Sequence, residues 1–304
     1  MNSPQISIVT PTRDRNTVLR RAIDSVRSQT MADYEHIIVD DGSSDGTADM
    51  VAGYGDPRIR YKRLQGMSGA NAARNLGIET AAAPIVTFLD SDDEYQPFRL
   101  DHTLETLAAN PAVPLMLSSF VIQQKRASIP QINSDAVLDK ADFEKRFVFG
   151  GLHFAGSAIT ARTEALSRVG CFNIALRRMQ DLDLLLRMAV KDSVVLSERI
   201  DWTKYNSPDS ITRGTHVGFV EALSDLVEHN DFYSSRCPDL IPYMVGRRIL
   251  NETRKLWLPS AVRSYYENLN SPMLGFSAFS LIQHYRGGKK KFRRDKVGPR
   301  AVKR

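Results

Sequence analysis

Three short apolar runs in the first third of the chain each end abruptly in a polar cluster. Ile6-Ser7-Ile8-Val9-Thr10 stops at Pro11-Thr12-Arg13-Asp14-Arg15, His36-Ile37-Ile38-Val39 runs into Asp40-Asp41-Gly42-Ser43-Ser44-Asp45-Gly46-Thr47, and Pro84-Ile85-Val86-Thr87-Phe88-Leu89 ends in Asp90-Ser91-Asp92-Asp93-Glu94. Short, β-rich, continuously apolar runs predict strands covered on both faces. Between the first two, Val18, Leu19, Ala22, Ile23 and Val26 recur at helical spacing. Strand, helix, strand, helix, strand is the order of a parallel sheet, which binds ligands in the crevice outside the carboxyl ends of its strands. The three polar clusters are therefore expected at one edge. Past about residue 215 the β-type runs give way to helical periodicity, predicting helices around Phe219 to His229, Leu240 to Trp257, Ala261 to Asn268 and Phe276 to Tyr285. They form a helical appendage whose aromatics, Trp257, Tyr265, Tyr266, Phe276 and Phe279, are expected in its core.

The acidic end of the third run carries the chemistry. If the backbone stays extended, side chains alternate, so Asp90 and Asp92 share one side and Ser91 faces the other. Two converging carboxylates suit Mg²⁺ or Mn²⁺, which complete their shells with water and phosphate oxygens. The same residues also read as a solvated acidic turn with Asp93 capping the next helix.

Taken in order, these motifs resemble the inverting nucleotide-sugar glycosyltransferases of family 2, of the bacterial surface-polysaccharide type, over roughly residues 4 to 212. Ile6 to Arg15 looks like the family's opening strand and loop, with Arg13 and Asp14 where Tyr and Asn are common. Asp40 to Thr47 is similar to its nucleobase loop, Gly69-Ala70-Asn71-Ala72-Ala73-Arg74-Asn75-Leu76-Gly77 to its nucleotide-side helix, and Asp90-Ser91-Asp92-Asp93 to its metal motif. Gly170-Cys171-Phe172 and Gln180-Asp181-Leu182-Asp183 resemble the segment that carries the catalytic base, with Gln180 in place of the commoner Glu.

The resemblance implies a GT-A fold with a mixed, mainly parallel sheet flanked by helices, and a divalent cation, Mn²⁺ or Mg²⁺, held by Asp92. It places Asp181 as general base and Thr10, Pro11, Arg13, Asp41, Asn71, Arg74, Asp90 and Ser91 on the nucleotide-sugar, with Asp41 at a uracil-like base and Asp90 at the ribose. It sets Gly156, Ser157 and Gln180 on the acceptor side. The family often adds a His ligand after the last strand; none stands between Trp202 and Thr212, where Asn206 and Asp209 are the oxygen donors, and His216 reads as a helix cap. The implied reaction is hexosyl transfer from a nucleotide-sugar, UDP-linked by expectation, to a glycan or lipid-linked acceptor. A nucleotidyltransferase and a nucleotide-sugar-binding module without turnover are the competing classes; no Walker-type loop supports the former.

Composition places the enzyme. At 304 residues and 42% hydrophobic content the chain is long enough for one sizeable α/β core and an appendage, read as 1–215 catalytic, 216–285 helical and 286–304 a disordered basic tail. Cys171 and Cys237 have no metal-type spacing. The start lacks a signal pattern, no run is long enough to span a bilayer, and the Gln-x-x-Arg-Trp motif of membrane-embedded synthases is missing, so a cytoplasmic protein is expected. Residues 286–304 hold ten Lys or Arg and one acid, Asp295, while the whole chain is only +6, so the remainder is slightly negative. That charge, next to the apolar stretch Met273 to Ile282, predicts peripheral attachment to an anionic membrane surface at its inner face. Nucleic acid is not expected, since the basic residues are confined to a tail.

Overall fold

The apolar runs become strands and the periodic segments helices. In the computed structural model, which describes residues 3–149, 151–205, 218–232, 235 and 238–291, the chain begins β1 (Ile6–Thr12), α1 (Asn16–Arg27), β2 (Tyr34–Asp40), α2 (Thr47–Ala52), β3 (Ile59–Arg63), α3 (Ala70–Thr80) and β4 (Ile85–Phe88). There follow β5 (Glu94–Tyr95), α4 (Arg99–Ala109), β6 (Leu115–Gln123), β7 (Ser128–Gln131), β8 (Ala136–Leu138) and α5 (Lys140–Phe149). A 3-10 turn at Gly156–Ala158 leads into β9 (Ile159–Arg162), α6 (Thr163–Arg168), α7 (Gln180–Ala189) and β10 (Val194–Tyr205). Beyond these, the described residues form α8 (Phe219–His229), α9 (Leu240–Arg254), α10 (Leu258–Asn270) and α11 (Ala278–Lys291).

The ten strands make one mixed sheet in the order β3-β2-β1-β4-β9-β6-β10-β5, with β7 added to β6 and β8 to β10. The β3-β2-β1-β4 half and the β6–β10 pair are parallel; β9 runs antiparallel between β4 and β6. Direction decides function here. Thr12 pairs with Asp40 and Val9 with Phe88, so β1, β2 and β4 end at one edge. Because β9 is antiparallel, the turn before it enters at that same edge, and β10, parallel to β6, ends there too. Residues remote in sequence thus converge: the acids after β4, Gly156 and Ser157 before β9, and Lys204 near the end of β10.

Helix α3 lies close on β1 because Gly77 has no side chain: a Cβ there would stand 2.3 Å from Val9 Cγ1. Gly77→Ala is expected to destabilise the protein by about 1–3 kcal/mol through overpacking, outweighing the roughly 1 kcal/mol of helix propensity Ala would contribute. The midpoint of urea unfolding checks this; an unchanged or raised midpoint would mean that Val9 relaxes freely.

Two compact units are present, and their boundary differs from the single cut expected at 215. The first comprises Met1–Ala141, His153–Ile174 and Gln180–Ser210; the second takes Asp142–Leu152, Ala175–Met179 and everything from Ile211. The two short excursions join the helical unit through long-range pairs that periodicity cannot register: Phe147 meets Phe232 edge-on at 5.6 Å, and Arg177 pairs with Glu221 at 2.6 Å. Within that unit the four expected helices form, but Trp257, Tyr266 and Phe279 are exposed instead of lining a core. The last helix runs to Lys291, so the first part of the basic tail is helical, not disordered: it continues a helix anchored by Leu281, which is buried, and Tyr285, stacked on Tyr243 at 6.2 Å, although Gly287-Gly288 costs it about 2 kcal/mol relative to Ala. Residues 292–304 lie outside the described residues, as do Asn206, Asp209 and His216. Among the described residues no helix is long and apolar enough to cross a membrane.

Candidate active site

Strand β4 stops at Phe88, although Leu89 N–H still donates to Val9 C=O at 3.0 Å. The chain then turns, with Asp93 N–H donating to Asp90 C=O at 2.9 Å. The extended continuation expected for residues 90–92 is therefore replaced by a turn, because that backbone bond supplants ladder pairing and side-chain alternation no longer applies. Ser91, expected to face away, is buried with Arg15 Nη1 donating to its Oγ at 3.4 Å. Asp93 is fully buried and caps no helix.

Each acid of the turn has its own partner. Arg74 Nη2 donates to Asp90 Oδ1 at 2.7 Å, and Arg15 Nη1 lies 3.1 Å from Asp92 Oδ2. Asp93 accepts from Ser157 Oγ at 2.7 Å and from Tyr205 N–H at 3.1 Å. Ser157 in turn accepts Asp90 N–H at 3.0 Å. This residue, expected on the acceptor side, is fully buried with its hydroxyl engaged on both counts, so it organises the acid turn instead. Gly156 sits against the same pair, where a Cβ would come within 3.1 Å of Asp90 Oδ1 and 3.5 Å of Arg74 Nη2.

Asp181 stands in the first turn of α7, where a helix N-terminus favours a carboxylate. Its Oδ1 is buried without a hydrogen-bond partner among the described residues, and so are Nε and Nη1 of Arg74. Half-buried Gln180 begins the same helix. Lys204, which no motif marked, completes the group: its charge interacts with Asp93, Asp90, Asp92 and Asp181 together. Four carboxylates thus face three cations, Arg15, Arg74 and Lys204.

The electrostatics separate the acids. Burial pushes Asp181 up from the ordinary carboxylate range, with Arg74 opposing and Asp90 reinforcing. Burial would raise Asp90 too, but Arg74 and Lys204 outweigh it and hold it low. Asp92 is raised by burial and by the neighbouring Asp90. Asp93 is pushed up to about 7 by burial, against Lys204 and with the charges of Asp90 and Asp92 adding. Burial disfavours the Lys204 ammonium, yet the surrounding acids keep it firmly charged.

The other expected residues divide. Asn71 Nδ2 donates to Asn173 C=O at 2.9 Å, and Asn75 bonds Phe172 through both backbone groups, tying α3 to the segment after Gly170. Asp41 accepts Ser68 N–H (2.7 Å) and Gly69 N–H (2.9 Å), fixing the loop into α3, with a second lone pair left on each oxygen. Thr10, expected at the nucleotide, is instead inside the sheet, sharing a 2.9 Å hydrogen bond with His36, whose burial takes its pKa down to about 3. Pro11 is buried beside it in β1, and Arg13 lies on the surface against Met67 and Asp14. Asp14 takes the left-handed backbone conformation (φ 48°) and its Oδ1 accepts Ser44 N–H at 2.7 Å, which joins the first two polar loops. Asp and Asn tolerate that conformation better than other side chains.

Among the described residues no group of three or more His, Cys, Asp or Glu could hold a metal ion. The donor set fits a hard cation that takes one or two carboxylates, Asp92 first, and fills its shell from water and phosphate; it does not fit an all-protein cage.

Comparison with known proteins identifies the architecture. Glycosyl transferase family 2 matches residues 7–170, more than half of the chain. An uncharacterized glycosyltransferase of Rickettsia typhi, RT0329, is 28% identical over 236 residues, covering 76% of this chain and 71% of its own. The GalNAc(5)-diNAcBac-PP-undecaprenol beta-1,3-glucosyltransferase of Campylobacter jejuni is 34% identical over 150 residues, 46% of this chain and 47% of that one, so this chain spans about half of it. The solved structure of S. aureus TarS 1-349 in complex with UDP-GlcNAc aligns with a TM-score of 0.68 over 95% of this chain and 92% of that one, at 15% identity, a likeness of fold. That is the GT-A fold the resemblance implied. The chain belongs to glycosyl transferase family 2 and is a glycosyltransferase.

Proposed function

We propose that this glycosyltransferase transfers a hexosyl group, with inversion, from a UDP-sugar to a hydroxyl of a glycan or lipid-linked acceptor in surface polysaccharide synthesis, assisted by Mn²⁺ or Mg²⁺ at Asp92. The observation that carries the reading is the electrostatic coupling of Arg74 and Asp181: a buried guanidinium with two unmatched donor nitrogens, whose charge acts on a buried carboxylate with an unmatched oxygen. The first suits a phosphate, which a planar fork grips bidentately. The second suits a hydroxyl proton, because a carboxylate of raised pKa is the stronger base.

In the reaction the acceptor oxygen attacks the anomeric carbon from the face opposite the diphosphate, and the bond from that carbon to the diphosphate oxygen breaks with its electron pair. Asp181 takes the hydroxyl proton. Arg74 and Lys204 supply positive charge where the diphosphate gains negative charge. A bound divalent cation would add Lewis-acid neutralisation of the same oxygens. The UDP assignment is supported by the UDP-GlcNAc complex of the S. aureus protein, and the lipid-linked acceptor by the undecaprenol in the Campylobacter enzyme's name. Work on such an acceptor would set the protein in the cytoplasm, against the inner face of the membrane.

Calorimetry with UDP-, GDP- and dTDP-sugars, with Mn²⁺ and with chelator, tests this on the wild type and Asp92→Ala. One UDP-sugar is expected to bind only with metal, and the variant to lose at least about tenfold in affinity. Binding that ignores both chelator and substitution would remove the metal from the proposal; binding of none of the sugars by folded protein would remove the donor.

A further inference from the structure

On α10 the apolar residues face outward. Leu258, Val262, Tyr266 and Leu269 follow helical spacing along one stripe. All four are exposed, Val262 by 68% and Tyr266 by 67%, while Ala261, Ser264 and Asn268 on the other side are buried. Leu256 (81% exposed) and Trp257 prolong the stripe at its N-terminal end. A helix that faced only water would carry the reverse pattern.

The sequence that carries the stripe is basic, although α8, which packs against α10, holds Glu221, Asp225 and Glu228. Residues 240–291 hold nine Lys or Arg against two acids, and both acids are matched internally. Glu252 is buried and accepts from Arg248, Ser260 and Ser264 at 2.5, 2.9 and 2.8 Å. Glu267 pairs with Arg263 at 2.7 Å. Residues 292–304 add six bases and one acid. A second copy docked stripe to stripe would bring this basic segment against its own like. An anionic bilayer offers the complement to both features, negative headgroups for the bases and an acyl boundary for the stripe, and Trp and Tyr settle at such boundaries.

We infer that α10 docks on an anionic lipid surface, with Trp257, Val262 and Tyr266 entering the headgroup boundary. The inference deepens the lipid-linked acceptor reading and rests on it for what the docking serves, though not for its geometry. Of the two tryptophans, Trp202 is fully buried, so a change in tryptophan emission on adding vesicles reports Trp257. The full chain should sediment with phosphatidylcholine vesicles containing roughly 30% phosphatidylglycerol, with a blue-shifted emission, and not with phosphatidylcholine alone. The double variant V262S/Y266S, changed only at exposed positions, should lose about tenfold or more in vesicle affinity. Donor binding by calorimetry should be unchanged in it, which separates failure of the docking from failure of the donor assignment. No sedimentation or shift with anionic vesicles overturns the inference, and so does vesicle binding indifferent to V262S/Y266S. Concentration-dependent self-association, abolished by the double variant and without vesicle binding, would give the stripe to a second copy instead.

Discussion

Asp181→Asn is expected to lower kcat by on the order of 10² to 10⁴, the usual contribution of a positioned general base, while nucleotide-sugar affinity stays within about threefold, since that change removes no donor to phosphate. The substitution keeps the shape and one acceptor oxygen but cannot take the hydroxyl proton. The wild-type pH profile carries a second signature. Burial raises Asp181 above the ordinary carboxylate range, and the proton-accepting form is the ionised one, so kcat/KM should fall as pH drops through a limb lying above that range. Asp181→Asn should abolish the limb along with the activity. Steady-state kinetics across pH decides the matter: a variant retaining near wild-type kcat, or a limb that survives the substitution, would assign the base to another group. The neighbouring acids do not substitute readily, because Asp90 is held low by Arg74 and Lys204 and Asp93 is closed off by Ser157 and Tyr205.

The sequence made the first half of the sheet legible for a physical reason: β1, β2 and β4 are buried on both faces, so each reads as an uninterrupted apolar run between polar ends. The carboxylates were visible for the same reason, as charges where burial stops. What failed was the extrapolation beyond a strand end. Alternation of Asp90 and Asp92 requires an extended backbone, and one local hydrogen bond, Asp93 to Asp90, ends it. Residues positioned by long-range direction were invisible. Lys204 reaches the acids only because β10 runs parallel to β6, and nothing near Lys204 in sequence announces that. Only the resemblance sets Ser157 on the acceptor side; the antiparallel direction of β9, which brings the preceding turn back to Asp90, has no local signal in the sequence. The outward stripe of α10 shows the converse limit: periodicity finds an apolar face without saying whether protein or something else covers it.

The largest loss of stability is expected from Asp201→Ala, at about 3–5 kcal/mol, because it leaves a buried guanidinium without its counter-charge. Arg99, at the start of α4, is fully buried, with Nη1 donating to Asp201 Oδ1 at 2.5 Å; His102 Nδ1 lies 2.9 Å from Asp201 Oδ2. The same guanidinium donates to Ser118 on β6, Thr160 on β9 and Thr87 on β4, so one cation ties α4 to four strands, β10 included. Removing the carboxylate strands the charge in a site with neutral hydroxyls only, and a domain stable by about 5–15 kcal/mol has little to lose. Replacing both members, Arg99→Met with Asp201→Ala, should recover part of the loss, since no charge then remains buried, although a cavity at Asp201 keeps the recovery incomplete. Urea unfolding of the three variants measures the effect. A cost below about 1 kcal/mol for Asp201→Ala would mean that water reaches Arg99 and that the pair behaves as a surface ion pair. The consequence extends to catalysis, because Asp201 and Lys204 lie on the same strand. A strand loosened at Asp201 releases the ammonium from the four carboxylates, so in this variant the diphosphate affinity should weaken at temperatures where the protein is still folded.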